Sequence, residues 1–209
     1  MNNSAQIKAL ADLKGKTWAY NYGGFNYLQY VLSYNKAGLK PKDIQAVRFG
    51  DGNVSASAFS TGRTQVYSGG YGPIKEAIDA GKAHVLLSSD ELGIPALAVF
   101  TARTDVLKDA DKSKALGDFL GRLQKSWVWW SKNVPAVTKI YQEKMNQSPA
   151  RADYSAKSGA SVFYPLDTKL IAQEQHIADE LVKSGDIKKK IDVTVEFNPI
   201  FNANTVPTP

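Results

Sequence analysis

A chain of 209 residues, 43% hydrophobic and 22% charged, is long enough for one large domain or two small lobes around a real core. It contains no cysteine, which excludes disulfides, thiolate catalysis and cysteine-ligated metal centres. The formal net charge of +6 is spread along the chain; only Lys188-Lys189-Lys190 form a run, near a predicted helix end where cations suit the helix dipole, so the charge points to no nucleic-acid partner. No apolar run approaches the ~20 residues of a membrane span, and Met1 to Leu10 lack the apolar region of a signal peptide. The chain is therefore expected to be cytoplasmic, mature and exported, or a fragment.

The first half alternates strand and helix. Ala9 to Leu13 reads as a helical turn closed by Gly15, and Thr17 to Tyr20 as a strand. Gly23-Gly24 break the chain, and Phe25 to Ala37 then reads as a helix with Phe25, Leu28, Val31 and Leu32 on one face. Gly38 is its expected stop. A turn at Lys40 to Asp43 leads to a second strand, Gln45 to Phe49. Asp51-Gly52-Asn53 opens a helix over Val54 to Thr61, with Asn53 as its expected N-cap. Gln65 to Ser68 reads as a third strand. Gly69-Gly70-Tyr71-Gly72-Pro73 leads into a helix ending near Ala80, and Ala83 to Ser88 reads as a fourth strand. Such alternation predicts an α/β fold with a parallel sheet of about four or five strands.

The second half changes character. Ala96 to Thr101 reads as one more buried strand. Helices follow over Asp111 to Asn133, from Pro135 through Met145, and over Asp167 to Ser184. Helical spacing of Trp127 and Trp130 favours core packing over a stacking role for this Trp-rich stretch, which also carries Trp129. A helix-rich half with one strand cannot complete its own sheet.

Several phrases occur in a telling order: Ala11-Asp12-Leu13-Lys14-Gly15-Lys16, Tyr22-Gly23-Gly24-Phe25-Asn26, Lys36 to Asp43, Ala58-Phe59-Ser60-Thr61-Gly62, Trp127 to Pro135, and Phe197-Asn198-Pro199-Ile200-Phe201. Together they resemble the solute-binding proteins for sulfonates, taurine and nitrate, and their relatives that bind or make thiamin pyrimidine precursors. The resemblance implies a type II periplasmic-binding-protein fold with two α/β lobes and a ligand cleft. It implies residues 10–93 as a complete second lobe and residues 94–209 as the returning part of an incomplete first lobe. Apolar faces near Phe119 and Leu170 are then expected to lie uncovered. The implied role is the extracytoplasmic or periplasmic binding component of an ABC importer. Its partners are a small anionic or polar organic solute and a permease, with no cofactor and no enzymatic step. The alternatives are an enzyme of the same fold and a truncated remnant that binds nothing.

The candidate ligand residues are Tyr22, Gly23, Gly24, Phe25, Asn26, Asp51, Asn53, Gly70 and Tyr71. At the Tyr22 turn, unpaired N–H groups of a helix N-terminus attract anions, and Gly23 and Gly24 let a ligand oxygen approach the backbone. Where the family offers hydroxyl residues this turn carries Gly24, Phe25 and Asn26, leaving Asn26 as the main side-chain donor. The competing reading is a plain turn that needs glycine for geometry. Tyr71 either walls the cleft or is a surface residue of a Gly-rich turn; Gly70 and Tyr71 stand where many family members carry Trp and Asp. Asp51 either contacts a cationic or hydroxylated ligand or belongs to a helix cap. His84 and His176 stand apart with no ligand-like spacing, so neither a metal site nor a catalytic group is predicted.

Overall fold

The computed structural model describes residues 6–95 and 97–204. The chain divides into two compact units: residues 1–96 with 172–192, and residues 97–171 with 193–209.

The first unit is built on a parallel sheet in which β1 (Thr17–Asn21) lies between β2 (Gln45–Phe49) and β3 (Val66–Tyr67). Thr17 stands opposite Gln45, and Trp18 opposite both Ala46 and Val66. Successive residues of β1 serve opposite faces, as the strand period requires. Trp18 and Tyr20 meet α1 (Gly24–Lys36): Tyr30 stacks on Tyr20 at 4.3 Å and meets Trp18 edge-on at 5.3 Å. Ala19, fully buried, faces the other way, and α2 (Gly52–Ser60) packs there because the methyl group leaves room for a helix.

The main core joins Ile7, Leu13, Trp18, Tyr30, Val31, Leu32, Tyr34, Ile44, Val66, Leu92 and Ile94. A smaller cluster of Ala56, Phe59, Ile74 and Ala83 lies beneath α2. Gly38, with φ +67°, ends α1 in the left-handed conformation that glycine adopts without strain. The short helix α3 (Lys75–Asp79) follows a 3-10 turn at Gly72–Ile74 that carries Pro73.

The expected fourth strand does not form. Ala83 makes a single bridge, and the chain then runs irregularly to Ser88. Leu86 and Leu87 reach the core without a ladder, while Val85 is exposed. Apolar burial, which the composition encodes, is thereby met without strand pairing. β2 is likewise more exposed than a central parallel strand, as befits a sheet edge.

The second unit is helical: α4 (Thr104–Lys108), α5 (Ala110–Lys132), α6 (Val134–Met145) and α7 (Pro149–Ser158). The helix α8 (Thr168–Ser184) begins in this unit and ends in the first. Asp109 caps α5, accepting from Asp111 and Lys112 N–H at 3.1 Å. Trp130 donates its indole N–H to the Ala156 carbonyl at 2.8 Å, which fixes α5 against α7. A Cβ on Gly159 would stand 2.7 Å from the Trp130 ring, so the residue ending α7 must be small.

The strand expected at Ala96 to Thr101 is absent. Ala96 lies outside the described residues, and residues 97–101 have no regular structure, with Val99 64% and Phe100 54% exposed. Among the described residues this unit holds no strand for the segment to pair with, and an unpaired extended segment gains no ladder hydrogen bonds. Exposure falls on Phe119, at 49%, but Leu170 is buried at 7%.

The tyrosine cluster on α1 gives this core a pH dependence. Burial raises the Tyr27, Tyr30 and Tyr34 hydroxyls above the ordinary phenol value of 10.0, and the Asp186 carboxylate beside Tyr27 adds to the shift there. A group whose folded pKa is raised contributes stability that is complete below its unfolded value. Stability should therefore fall as pH rises beyond about 10, where the unfolded chain ionises its tyrosines first. Urea midpoints at pH 9 and pH 11 check this: we expect a lower midpoint at pH 11, and a smaller drop in Tyr30→Phe.

Candidate functional site

In parallel α/β sheets the carboxyl ends of the strands are where ligands bind, because loops and helix N-termini converge there. In the first unit three loops follow those ends: Tyr22–Gly23 after β1, Gly50–Asp51 after β2, and Ser68–Tyr71 after β3. These loops and the first turns of α1 and α2 carry the residues singled out in the sequence, so the topology gathers Tyr22, Gly23, Gly24, Phe25, Asn26, Asp51, Asn53, Gly70 and Tyr71 along one edge of the sheet.

The first loop is shaped by its glycines. Gly23, with φ +81° and ψ 157°, takes the N-cap position of α1, and Gly24, with φ +62°, is the first helical residue. Both conformations disfavour any residue with a Cβ. Among the described residues, nothing beyond the adjoining chain lies within 4 Å of where a Cβ would stand on either, so their outer side is open. Gly23 supplies no side-chain cap to α1, and among the described residues no other side chain caps it. Its first N–H groups therefore carry the positive end of the helix dipole without a side-chain acceptor.

Asn26 is partly committed elsewhere. Its amide Nδ2 donates to Asn21 Oδ1, linking the first turn of α1 to the end of β1. Gly52 abuts this pair: a Cβ there would stand 3.0 Å from Asn26 Nδ2 and 3.5 Å from Asn21 Oδ1. The first and second loops thus meet through one amide pair and one glycine. Tyr22 is 57% and Phe25 36% exposed at this edge. Tyr22 packs on Tyr27, with ring centroids 4.7 Å apart.

The second loop corrects the expected cap. Asp51, and not Asn53, is the N-cap of α2: its Oδ1 accepts from Asn53 N–H at 2.7 Å and Val54 N–H at 3.0 Å. Asn53 lies inside the first turn as a donor of that motif. The helix starts earlier than the apolar pattern suggests because Asp51 has the extended backbone that a cap requires, φ −152° and ψ 157°.

The third loop is anchored from beneath. The Trp18 indole donates to Ser68 Oγ at 2.9 Å in a buried setting. Gly69 has a packing reason to be glycine, since a Cβ would fall 2.0 Å from the Tyr67 hydroxyl. Gly70 is more open, with Pro73 Cδ 3.7 Å from its virtual Cβ. Tyr71 is partly buried and helical in backbone, φ −66°, at the entry to the 3-10 turn.

A cavity of about 310 Å³ lies elsewhere in the unit, lined by Leu32, Asn35, Lys36, Glu91, Leu92, Gly93, His176, Glu180 and Lys183. Its carboxylates are engaged: Glu180 accepts from Asn35 at 3.0 Å and Lys183 at 2.7 Å, and Glu91 from Ser88 at 2.8 Å. It sits at the far end of α1, roughly 16 Å along the helix from Gly24 at 1.5 Å per residue. We therefore place the candidate site at the sheet edge and not in this cavity. His84 and His176 belong to no metal-binding group among the described residues.

Solved structures with the same architecture are periplasmic binding proteins. The aliphatic sulphonate binding protein SsuA from Escherichia coli matches 95% of this chain and 64% of its own, at 19% identity and TM-score 0.72. The alkanesulfonate-binding protein SsuA from Xanthomonas axonopodis pv. citri, bound to MOPS, matches 93% of this chain and 66% of its own, at 19% identity and TM-score 0.73. A putative sulfonate-binding SsuA from Methylobacillus flagellatus KT matches 96% and 62%, at 20% identity and TM-score 0.66. The chain thus spans slightly under two thirds of the length of these proteins. No curated protein matches it significantly. The fold is α/β and periplasmic-binding-protein-like, of type II. More narrowly, residues 1–160 match the NMT1/THI5-like family, and the chain belongs to that family.

The capping assignment predicts an asymmetry. Asp51→Ala should cost about 1 kcal/mol of stability, as loss of an N-cap does, whereas Asn53→Ala should cost a few tenths at most. Urea denaturation of the two variants checks this, and equal losses would count against the cap.

Proposed function

We propose that this chain is the extracytoplasmic solute-binding component of an ABC importer, and that it captures its solute without transforming it. The solute is a small anionic or polar organic molecule, of sulfonate, nitrate or pyrimidine type, held in an interlobe cleft. The carboxyl edge of the three-stranded sheet forms one wall of that cleft. On this reading residues 10–93 are the second lobe of the family and residues 94–209 belong to the first. A permease receives the solute when the cleft opens. Among the described residues no helix is long and apolar enough to cross a membrane, so transport would need such a partner.

The observation that carries the reading is the glycine pair that opens α1. Gly23 and Gly24 have positive φ, leave open space where side chains would be, and precede a helix whose N-terminus has no side-chain cap. A head group with negative charge accepts hydrogen bonds from such N–H groups with no cation required. Membership of the family and the likeness to the sulfonate-binding structures support the same ligand class.

NMR titration of the 209-residue protein tests it, because chemical shifts report millimolar binding. The panel is ethanesulfonate, taurine, nitrate, acetate and a hydroxymethyl-pyrimidine. We expect one of them to move the Gly23 and Gly24 amide resonances in a saturable way. Gly24→Val should weaken that ligand about tenfold or more, by crowding the approach and straining the backbone. Saturable binding that Gly24→Val leaves unchanged would overturn the glycine-turn site.

A further inference from the structure

The three loops and the strand ends that bear them carry few charged side chains. Asp51 is one, and its carboxylate is occupied in capping α2. Lys75, just beyond the third loop, pairs with Asp79 at 2.6 Å. Arg48 is different. It lies on β2 opposite Tyr20 of β1, and so on the face of the sheet that α1 covers. It is exposed, and among the described residues no carboxylate pairs with it. Its Cζ instead stands 4.7 Å from the centroid of the Tyr22 ring.

That placement has consequences for recognition. Tyr22 immediately precedes Gly23, and its ring rests on Tyr27 in the first turn of α1. An aromatic chain thus runs from Arg48 through Tyr22 to Tyr27 in the first turn of α1. Contact with a ring face restricts the rotamers of an arginine but uses none of its five N–H donors, which lie in the guanidinium plane. A planar donor fork fixed in this way matches two oxygens of one anionic group, and less is lost when it binds.

We infer that Arg48 is the specificity-determining side chain of the candidate site, selecting an oxyanion head group over its neutral isostere. The inference rests on the proposed glycine-turn site and adds to it: the backbone N–H groups of α1 accommodate any acceptor, and Arg48 adds affinity only for a head group that carries full charge. Tyr22 is the positioning residue, since it holds the guanidinium and leaves its donors free.

The test titrates the 209-residue protein with ethanesulfonate and with the neutral ethanesulfonamide, following amide and arginine Nε resonances. Arg48→Gln should weaken ethanesulfonate about tenfold or more, in the range for a hydrogen bond to a charged group, and leave ethanesulfonamide within about twofold. Arg48→Lys, which keeps the charge but not the fork, should recover only part of the loss. Tyr22→Leu should reproduce part of it with the guanidinium intact. If Arg48→Gln leaves ethanesulfonate affinity unchanged while Gly24→Val abolishes binding, the Arg48 assignment is wrong and the glycine turn stands. If Arg48→Gln weakens both ligands equally, Arg48 acts through structure and the assignment also fails. If Arg48→Gln is selective while Gly24→Val has no effect, Arg48 holds and the glycine turn falls.

Discussion

Burying an indole commits the chain to finding a partner for one N–H, and the position of that partner organises the first unit. Trp18 is 1% exposed in the central strand, and its ring packs edge-on against Tyr30 of α1. Its N–H reaches sideways to the Oγ of Ser68, the residue that follows β3. An unsatisfied buried donor costs on the order of 1–3 kcal/mol, comparable to a large part of the stability of a small domain. The third loop is therefore pinned to the same side chain that seats α1 on the sheet. β3 has two residues, and this bond supplements the little ladder it can make. The alignment of the loops at the sheet edge depends on it.

From that anchor the chemistry of the edge divides into committed and available groups. Asp51 is consumed in capping α2, and Asn26 shares its amide with Asn21. Gly69 is glycine because Tyr67 occupies the space above it. What remains available is the uncapped N-terminus of α1 behind two open glycines, and a guanidinium stacked on Tyr22. Both carry positive potential, and neither is balanced by a free carboxylate in the second loop. The proposed anionic head group fits an edge so arranged on electrostatic grounds.

Much of the first unit was legible in the sequence because its punctuation is strong. Gly23-Gly24, Gly38 and Gly62 mark turns that no other residue makes cheaply, and the runs between them have the period of strand or helix. The two strands that do not form share one cause. Ala83 to Ser88 and Leu97 to Thr101 are apolar and β-prone, but a strand exists only where another strand pairs with it, and composition does not say whether a partner is present. Helix α7 has a weak sequence signature although Ser148 caps it, accepting from Arg151 N–H, and Pro149 follows at the first helical position. Its interior, with Asp153, Tyr154 and two serines, has too little apolar period to show a face. Asp51 and Asn53 are both good caps, and only backbone geometry separates them. The Arg48–Tyr22 contact joins β2 to the loop after β1, and neither residue type announces it.

The central claim is that an anionic head group sits against the N–H groups of Gly23 and Gly24. Crystals grown with 2-bromoethanesulfonate test it most directly, because the bromine marks the ligand by anomalous scattering and the sulfonate lies two carbons away. Sulfonate density is expected within hydrogen-bonding distance of those N–H groups, with bromine pointing away from α1. Bromine density confined to the cavity beside His176 and Lys183, with the glycine turn empty, would contradict it.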